Sequence, residues 1–477
     1  WSMEPGIYIA NIKTKEMEKI LERGFNAHFG ADEDRLYYTS YVPDSKYTEL
    51  ELRSVNLDGG DERQLLKGDK VTEFQLSPDG KWVAYTHQNN AFVAPVLHTG
   101  TQQDLGTETG GLPVAQVSAR AGEYLSWSAD SSRLSWSHAA TVFERELNEA
   151  FSFLDGSPEE LPEPVTEGID LGFSQIADKP DSIIALVGGQ IVTMRNADET
   201  QEVISNGVVL VEHNRIVAVG SVDDVVIPSE ATRVDVTGKT LIPGLIDGHA
   251  HGSQANEEII PQQNWKNLSS LAFGVTTIHD PSNDSSEIFA ASEMQRNGQI
   301  LGPRIFSTGT IVYGANSPTA HARINSYDDA FFHLQRLKDM GAVSVKSYNQ
   351  PRREQRQQVL KAARDLELMV VPEGGGKLYQ NMSMISDGHT TLEHSLNIAT
   401  GYNDLTQYWS QTDMAYNPTL VVAYGGLEGE KYWYASSEPN DTRIKASSSP
   451  AAHCKNTSFC RAAGLQRFCS AITPSKS

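Results

Sequence analysis

The sequence predicts a multidomain protein in three parts: an array of repeated β-blades, a small β-sandwich, and alternating strands and helices that form a parallel sheet, either a closed barrel or a doubly wound one. Three observations predict it. A turn-then-strand unit recurs through the first third of the chain, Gly-punctuated β-branched strands fill the middle, and from Leu241 onward strands alternate with helical patterns. A length of 477 residues suits about three domains.

Composition limits the function classes. Hydrophobic residues make up 39% and charged residues 21%, with a net charge of −22. A surface that acidic repels phosphate backbones and anionic lipid heads, which argues against nucleic acid and polybasic membrane binding. No stretch reaches the roughly 18 uninterrupted apolar residues of a membrane span. The start, Trp1-Ser2-Met3-Glu4-Pro5, is neither an initiator methionine nor a signal segment, and the sequence reads as cut at its front. Cys454, Cys460 and Cys469 all fall in a tail, 442–477, that holds six basic residues, seven serines and no acid. Their spacing matches no zinc pattern and supplies no disulfide framework. The tail reads as out of frame or misjoined in preference to a solvated interaction arm.

The first part spans residues 1–175. Ala31–Tyr38, Ser77–Tyr85 and Ser128–Trp136 are three versions of one unit, at spacings of 46 and 51 residues, which suits four-stranded propeller blades. Asp-Gly residues allow the tight turn, and the alternation after it buries one strand face. Three blades are fewer than a closed ring needs, so the array is expected to be a partial β-propeller. An acidic, proline-bearing crossover follows at 139–182, with one further strand at Ile169–Phe173. In the second part, 180–242, short strands at Ile183–Leu186, Ile191–Met194, Val208–Glu212, Arg215–Val219 and Arg233–Val236 are separated by Gly188-Gly189, Asn206-Gly207 and Thr237-Gly238, the pattern of a small sandwich.

In the third part, 243–438, strands are expected at Leu241–His249, Val275–His279, Arg304–Ser307, Ser344–Tyr348, Met369–Pro372, Thr391–His394 and Tyr416–Val422. Helices lie between them, most clearly at Ser326–Met340 and Arg352–Leu366. An eighth strand would fall where the composition breaks.

The chemistry gathers at the ends of those strands. In Pro243-Gly244-Leu245-Ile246-Asp247-Gly248-His249-Ala250-His251, two histidines at i and i+2 of a strand project from one face and converge on a metal. His394 closes a later strand. Lys346 sits inside an apolar strand, where it must find a partner or lose its charge. Glu373 ends another strand beside Gly374-Gly375-Gly376. That glycine run lacks the flanking Gly and Ser/Thr of a phosphate loop.

With these residues in view, Ile183–Tyr424 resembles the amidohydrolase superfamily, in its imidazolonepropionase-like and prolidase-like branch. The resemblance is carried by Asn206–Gly220 and by Val234–His251. The front repeats, with Ser77-Pro78-Asp79-Gly80, resemble TolB-like propeller blades, which are found fused ahead of such enzymes. The resemblance implies a metal-dependent (β/α)8 (TIM) barrel, here incomplete and lacking strand 8. It carries one or two divalent ions, usually zinc. His249, His251 and His394 would be ligands. Lys346 would be the fourth-strand residue, carbamylated in many relatives to bridge two metals. Glu373 stands where the family commonly has His, which leaves metal identity and number open. Tyr348 would orient substrate.

The eighth-strand Asp, which moves the proton to the leaving amine in the family, is missing from the sequence, so no catalytic residue is assigned. The implied activity is hydrolysis of carbon–nitrogen bonds in amides, cyclic amides or dipeptide-like substrates by metal-activated water. For a chain cut at both ends, reduced or absent turnover is expected. The alternative is a propeller-based binding protein with a degenerate barrel. Partners would be small molecules or short peptides; a homo-oligomer is compatible with the sequence, and the resemblance weakly favours a periplasmic or secreted setting.

Overall fold

The computed structural model describes residues 5–419, apart from 33, 44, 46–48, 108–110, 196–201, 256–257, 314–321, 375 and 399. The tail at 442–477, its three cysteines, the place of an eighth strand and the end of the strand expected at Tyr416–Val422 lie outside the described residues. The chain divides into two compact units that interleave in sequence. Unit 1 comprises Trp1–Phe173, Thr310–Leu392 and Ile398–Met414, and unit 2 comprises Ser174–Gly309, Glu393–Asn397 and Ala415–Ser477.

In unit 1 each sequence repeat opens the central hairpin of one antiparallel meander. The first sheet runs Phe25–Phe29, Arg35–Tyr41, Glu49–Asn56 and Arg63–Asp69, with Gln103–Asp104 added in parallel to the last. The second runs Val71–Leu76, Trp82–His87 and Asn90–Pro95, then Ala115–Gln116. The third runs Glu123–Trp127, Arg133–His138 and Thr141–Glu146, then Ile169–Asp170. The further strand expected at Ile169–Phe173 is thus present as a two-residue pairing.

The turns at Ser77 and Ser128 are built alike, atom for atom. Ser77 N–H donates to Trp82 O at 2.8 Å and Gly80 N–H to Ser77 O at 2.9 Å; Ser128 N–H donates to Arg133 O at 2.8 Å and Ser131 N–H to Ser128 O at 2.9 Å. In both, the serine hydroxyl donates to the aspartate two residues on, Asp79 at 2.7 Å and Asp130 at 2.6 Å. The same hydroxyl accepts the N–H that opens the next strand, Trp82 or Arg133, each at 3.0 Å. The fourth turn position is left-handed in both, Gly80 at φ +71° and Ser131 at φ +61°. A non-glycine residue there is strained, and Ser131 compensates by accepting the Asp79 N–H at 3.0 Å.

Behind the turns, Leu52, Leu66, Phe74, Val83 and Tyr85 form a closed apolar cluster. Burying each such side chain fully is worth about 1.5–3 kcal/mol, and that holds the sheets together.

Unit 1 also contains a parallel four-stranded sheet in the order Ala322–Arg323, Val312–Tyr313, Ser344–Ser347, Met369–Pro372. Its helices are Tyr327–Asp339, Arg353–Asp365 and Leu378–Asp387. The helix expected at Ser326–Met340 starts with Ser326 as its cap and Asp329 answering it in a capping box, which satisfies two N–H groups the helix cannot.

In unit 2, the segment expected to be a sandwich forms a five-stranded sheet in the order Arg215–Ser221, Val203–Glu212, Ile183–Val192, Thr232–Asp235, with Thr240–Leu241 also on Ile183–Val192. The two strands expected at Ile183–Leu186 and Ile191–Met194 are one. Gly188, at φ +92°, places a bulge between them where a turn was expected, and the register shifts on both sides of Gly189. A bulge bends a strand without ending it. A parallel three-stranded sheet follows, Leu245–Asp247, Val275–Asp280 and Arg304–Ser307, with helices Trp265–Ala272 and Ser285–Asn297 between the strands.

The structure is thus a mixed, multi-sheet α/β one, and each unit holds a parallel sheet whose strands are joined by helices. Among the described residues no helix is long and apolar enough to cross a membrane.

Candidate active site

The strand expected to run from Leu241 to His249 is broken. Pro243 has no N–H to give a ladder, and the strand resumes only at Leu245–Asp247. At Gly244 an added Cβ would lie 2.1 Å from Thr276 Oγ1, so only glycine lets the chain pass so close to the next strand. His249 and His251 therefore sit just beyond the strand end, and strand alternation does not place them. Side-chain and backbone bonds do. Asp247 Oδ1 accepts the His249 N–H at 3.1 Å. Between the two histidines, Ala250 is buried and its N–H donates to His279 O at 3.0 Å. With Ala250 pinned, the two rings meet edge to face, centroids 4.9 Å apart.

His394 joins them. Its ring centroid lies 4.9 Å from that of His249, and its N–H donates to Asn417 O at 2.9 Å. The expected strand stops one residue earlier, at Glu393, because His394 is left-handed at φ +66°. An unfavourable conformation at a non-glycine residue costs about 1–3 kcal/mol.

Two buried carboxylates that were not singled out from the sequence complete the cluster. Glu393, 1% exposed, contacts His249 Nδ1 through Oε2, and the His249 side chain is itself only 5% exposed. Asp280, also 1% exposed, directs Oδ1 at His251 Nδ1 at 3.3 Å. Asp280 is held from behind by the Ser282 N–H at 3.0 Å and by Asn283 Nδ2 at 2.8 Å. Both carboxylates adjoin histidines in sequence, in His279-Asp280 and Glu393-His394, which was the signal available. Burial pulls the pKa of nearby His279 below the ordinary histidine value, partly offset by a hydrogen bond with the Gly248 backbone.

Lys346 and Glu373 belong to unit 1, where they meet each other. Lys346 is 1% exposed, and its Nζ lies 2.6 Å from Glu373 Oε2. The register sets Lys346 opposite Val371 and Ser347 opposite Pro372, so Glu373 follows directly off the neighbouring strand. The buried lysine is thus met by a carboxylate. Tyr348 lies one residue beyond its strand; its N–H donates to Val312 O at 3.1 Å and its ring packs against Tyr313 at 5.8 Å.

The fit to a divalent ion can be tested on these distances. Two imidazoles bound to one ion at about 2.0–2.1 Å through nitrogen have centroids about 5 Å apart. Both measured separations agree with that. The carboxylates engage Nδ1 of His249 and His251, which leaves Nε2 of each for an ion. The donor set fits in chemistry, although among the described residues no three His, Cys, Asp or Glu side chains are arranged as a ready metal cage.

No family model matches the chain. Over 82 residues it is 43% identical to the imidazolonepropionase of Fusobacterium nucleatum subsp. nucleatum, covering 14% of this chain and 20% of that protein. The chain thus spans about one fifth of the length of that curated relative. Among solved structures it is similar to a Xaa-Pro dipeptidase with bound methionine in its active site, at 18% identity and a TM-score of 0.42, covering 56% of this chain and 73% of the other. It is also similar to phenylurea hydrolase B, at 17% identity and a TM-score of 0.41, covering 56% and 73%.

Proposed function

We propose that the protein is a metal-dependent hydrolase of carbon–nitrogen bonds, acting on amides, cyclic amides or dipeptide-like substrates. The observation that carries this reading is the cluster of His249, His251 and His394, with ring separations of 4.9 Å and their backbones fixed by hydrogen bonds. The local identity to imidazolonepropionase supports a carbon–nitrogen bond as the target.

His249 and His251 would hold a divalent ion through Nε2, with His394 as a third ligand. The ion, when bound, supplies Lewis acidity and a water activated near neutral pH. Zinc suits a histidine-rich donor set. Burial of His279 disfavours its charged form beside the histidine cluster. Lys346 and Glu373 are retained as ligand candidates on sequence resemblance alone. Carbamylation of Lys346 would set an anion beside Glu373 unless a cation lay between them. Tyr348, with its ring braced on Tyr313, would orient substrate. Proton transfer to the leaving nitrogen is assigned to none of these residues. The partial β-propeller at 1–175, the sandwich at 180–242 and a periplasmic or secreted setting belong to the same proposal.

The test is a hydrolysis screen of N-acyl amino acids, cyclic amides and Xaa-Pro dipeptides with zinc, cobalt or manganese supplied. Turnover that disappears with chelator and in His249→Ala is expected. Turnover indifferent to both would contradict the reading.

A further inference from the structure

We propose that Glu393 and Asp280 are positioning residues, each holding one histidine by Nδ1 so that Nε2 is left as the metal-binding nitrogen. The inference rests on the metal-site reading above and deepens it.

Three features support it. First, the two carboxylates are both almost fully buried, and each faces a histidine Nδ1. A buried carboxylate needs a donor, and a neutral imidazole meets that need by keeping its proton on Nδ1. The Nε2 lone pair is then the free one. A carboxylate behind a ligating imidazole fixes the tautomer and ring orientation and raises the ligand's basicity.

Second, Glu393 and His394 are neighbours, and along an extended strand neighbours point to opposite faces. Here both reach His249, Glu393 through its carboxylate and His394 through its ring at 4.9 Å. The left-handed backbone at His394 ends the strand between them, so one dipeptide supplies both a ligand and the group that orients another ligand.

Third, Asp280 is itself immobilised. Its carboxylate accepts from Ser282 N–H and Asn283 Nδ2, and its backbone carbonyl accepts the Ser307 hydroxyl at 2.8 Å. Asn283 Nδ2 also donates to Gly252 O at 2.9 Å, which ties the residue after His251 to the same anchor.

The two pairs differ in environment. His249 and Glu393 are both sequestered, whereas the His251 side chain is 54% exposed and its contact with Asp280 is longer. Water can substitute for Asp280 more readily than for Glu393. The Glu393 contribution is therefore the larger.

The experiment uses the full chain with ring-15N histidine and two readouts. Cobalt(II) binding is followed by visible absorption and calorimetry for the wild type, Glu393→Gln, Asp280→Asn and, as a control, Glu293→Gln on an exposed helix face. Imidazole tautomers are read in the metal-free proteins by long-range 1H–15N correlation. Glu393→Gln is expected to weaken cobalt by about 10–100-fold and to shift His249 from the Nδ1–H to the Nε2–H form. Asp280→Asn should do the same to His251, less strongly, and Glu293→Gln should do neither. Because the amides preserve size, far-UV circular dichroism should match the wild type. Glu393→Asp provides a second variant that keeps the charge and should bind cobalt between the wild type and Glu393→Gln.

Wild-type affinity in both amide variants, with unchanged tautomers, would overturn the positioning role while leaving the metal site standing. A wild type that binds no cobalt would overturn the metal-site reading instead, and the tautomers would then decide the role of the carboxylates alone.

Discussion

The repeated turns of unit 1 and the histidine cluster of unit 2 use polar side chains in opposite ways. The Ser77, Asp79, Ser128 and Asp130 side chains bond within their own turns, at most five residues away, and Ser131 links the two turns by accepting the Asp79 N–H. In the cluster, His249 meets Glu393 across 144 residues, and the polar groups serve one another. Local satisfaction stabilises a strand pairing wherever the motif recurs. Remote satisfaction places titratable groups where the chain alone would not put them, and that arrangement suits chemistry. The turns are replaceable parts; the cluster is not.

The largest expected effect breaks the cluster side of this comparison. His249→Ala and His394→Ala should each reduce divalent-ion affinity by more than the roughly 10–100-fold expected of an outer carboxylate, measured by calorimetry. Asp79→Ala in a repeat turn should leave it unchanged. Equal losses in all three would mean that the cluster and the turns are not functionally distinct.

Next in size is the Lys346–Glu373 pair. Lys346→Met removes the buried cation that faces the half-buried Glu373 carboxylate and should destabilise the protein by at most about 3 kcal/mol, whereas Lys346→Met with Glu373→Leu should recover most of that loss. Urea unfolding would measure both. A double variant no more stable than the single would show that the pair contributes more than mutual neutralisation.

A third prediction concerns a histidine with a local partner. His389 is 2% exposed and its Nδ1 donates to Met384 O at 3.1 Å. Burial lowers its pKa from 6.5 to about 4. A base whose folded pKa is depressed gives its full stability above pH 6.5 and loses it as pH falls toward 4, because only the unfolded chain takes up the proton in that window. The loss is roughly 3 kcal/mol. His389→Gln should flatten the pH dependence of unfolding between those limits. An unaltered slope would contradict the assignment.

The smallest effects fall on the turns. Asp79→Ala removes the acceptor for Ser77 Oγ and for the Lys81 N–H and should lower stability by about 1 kcal/mol. Ser131→Gly relieves the left-handed strain but also removes the acceptor for the Asp79 N–H. Its thermal midpoint should stay near the wild-type value.

The same contrast explains what was legible in the sequence. The turns could be read because a local bond pattern needs the same residue types each time it recurs. The helices at Tyr327–Asp339 and Arg353–Asp365 were legible within a residue at each end because their apolar faces repeat; Ser285–Asn297 was not delimited, although Asp284 and Gly298 cap it. In the cluster, His249, His251 and His394 were legible as residue types, but the reason given for the first two, strand alternation, does not apply beyond Asp247. Glu393 and Asp280 were passed over because a carboxylate in a sequence does not reveal a distant partner, His249 lying 144 residues from Glu393. The bulge at Gly188 was mistaken for a turn because a glycine pair permits either.

The central claim is that the three clustered imidazoles form a divalent-ion site. Its most direct test is the metal content of the full chain after equilibration with zinc and removal of excess, beside His249→Ala/His251→Ala treated identically. The account predicts at least one tightly held ion per wild-type chain and none in the double variant. Equal metal in both, or none in a well-folded wild type, would contradict it.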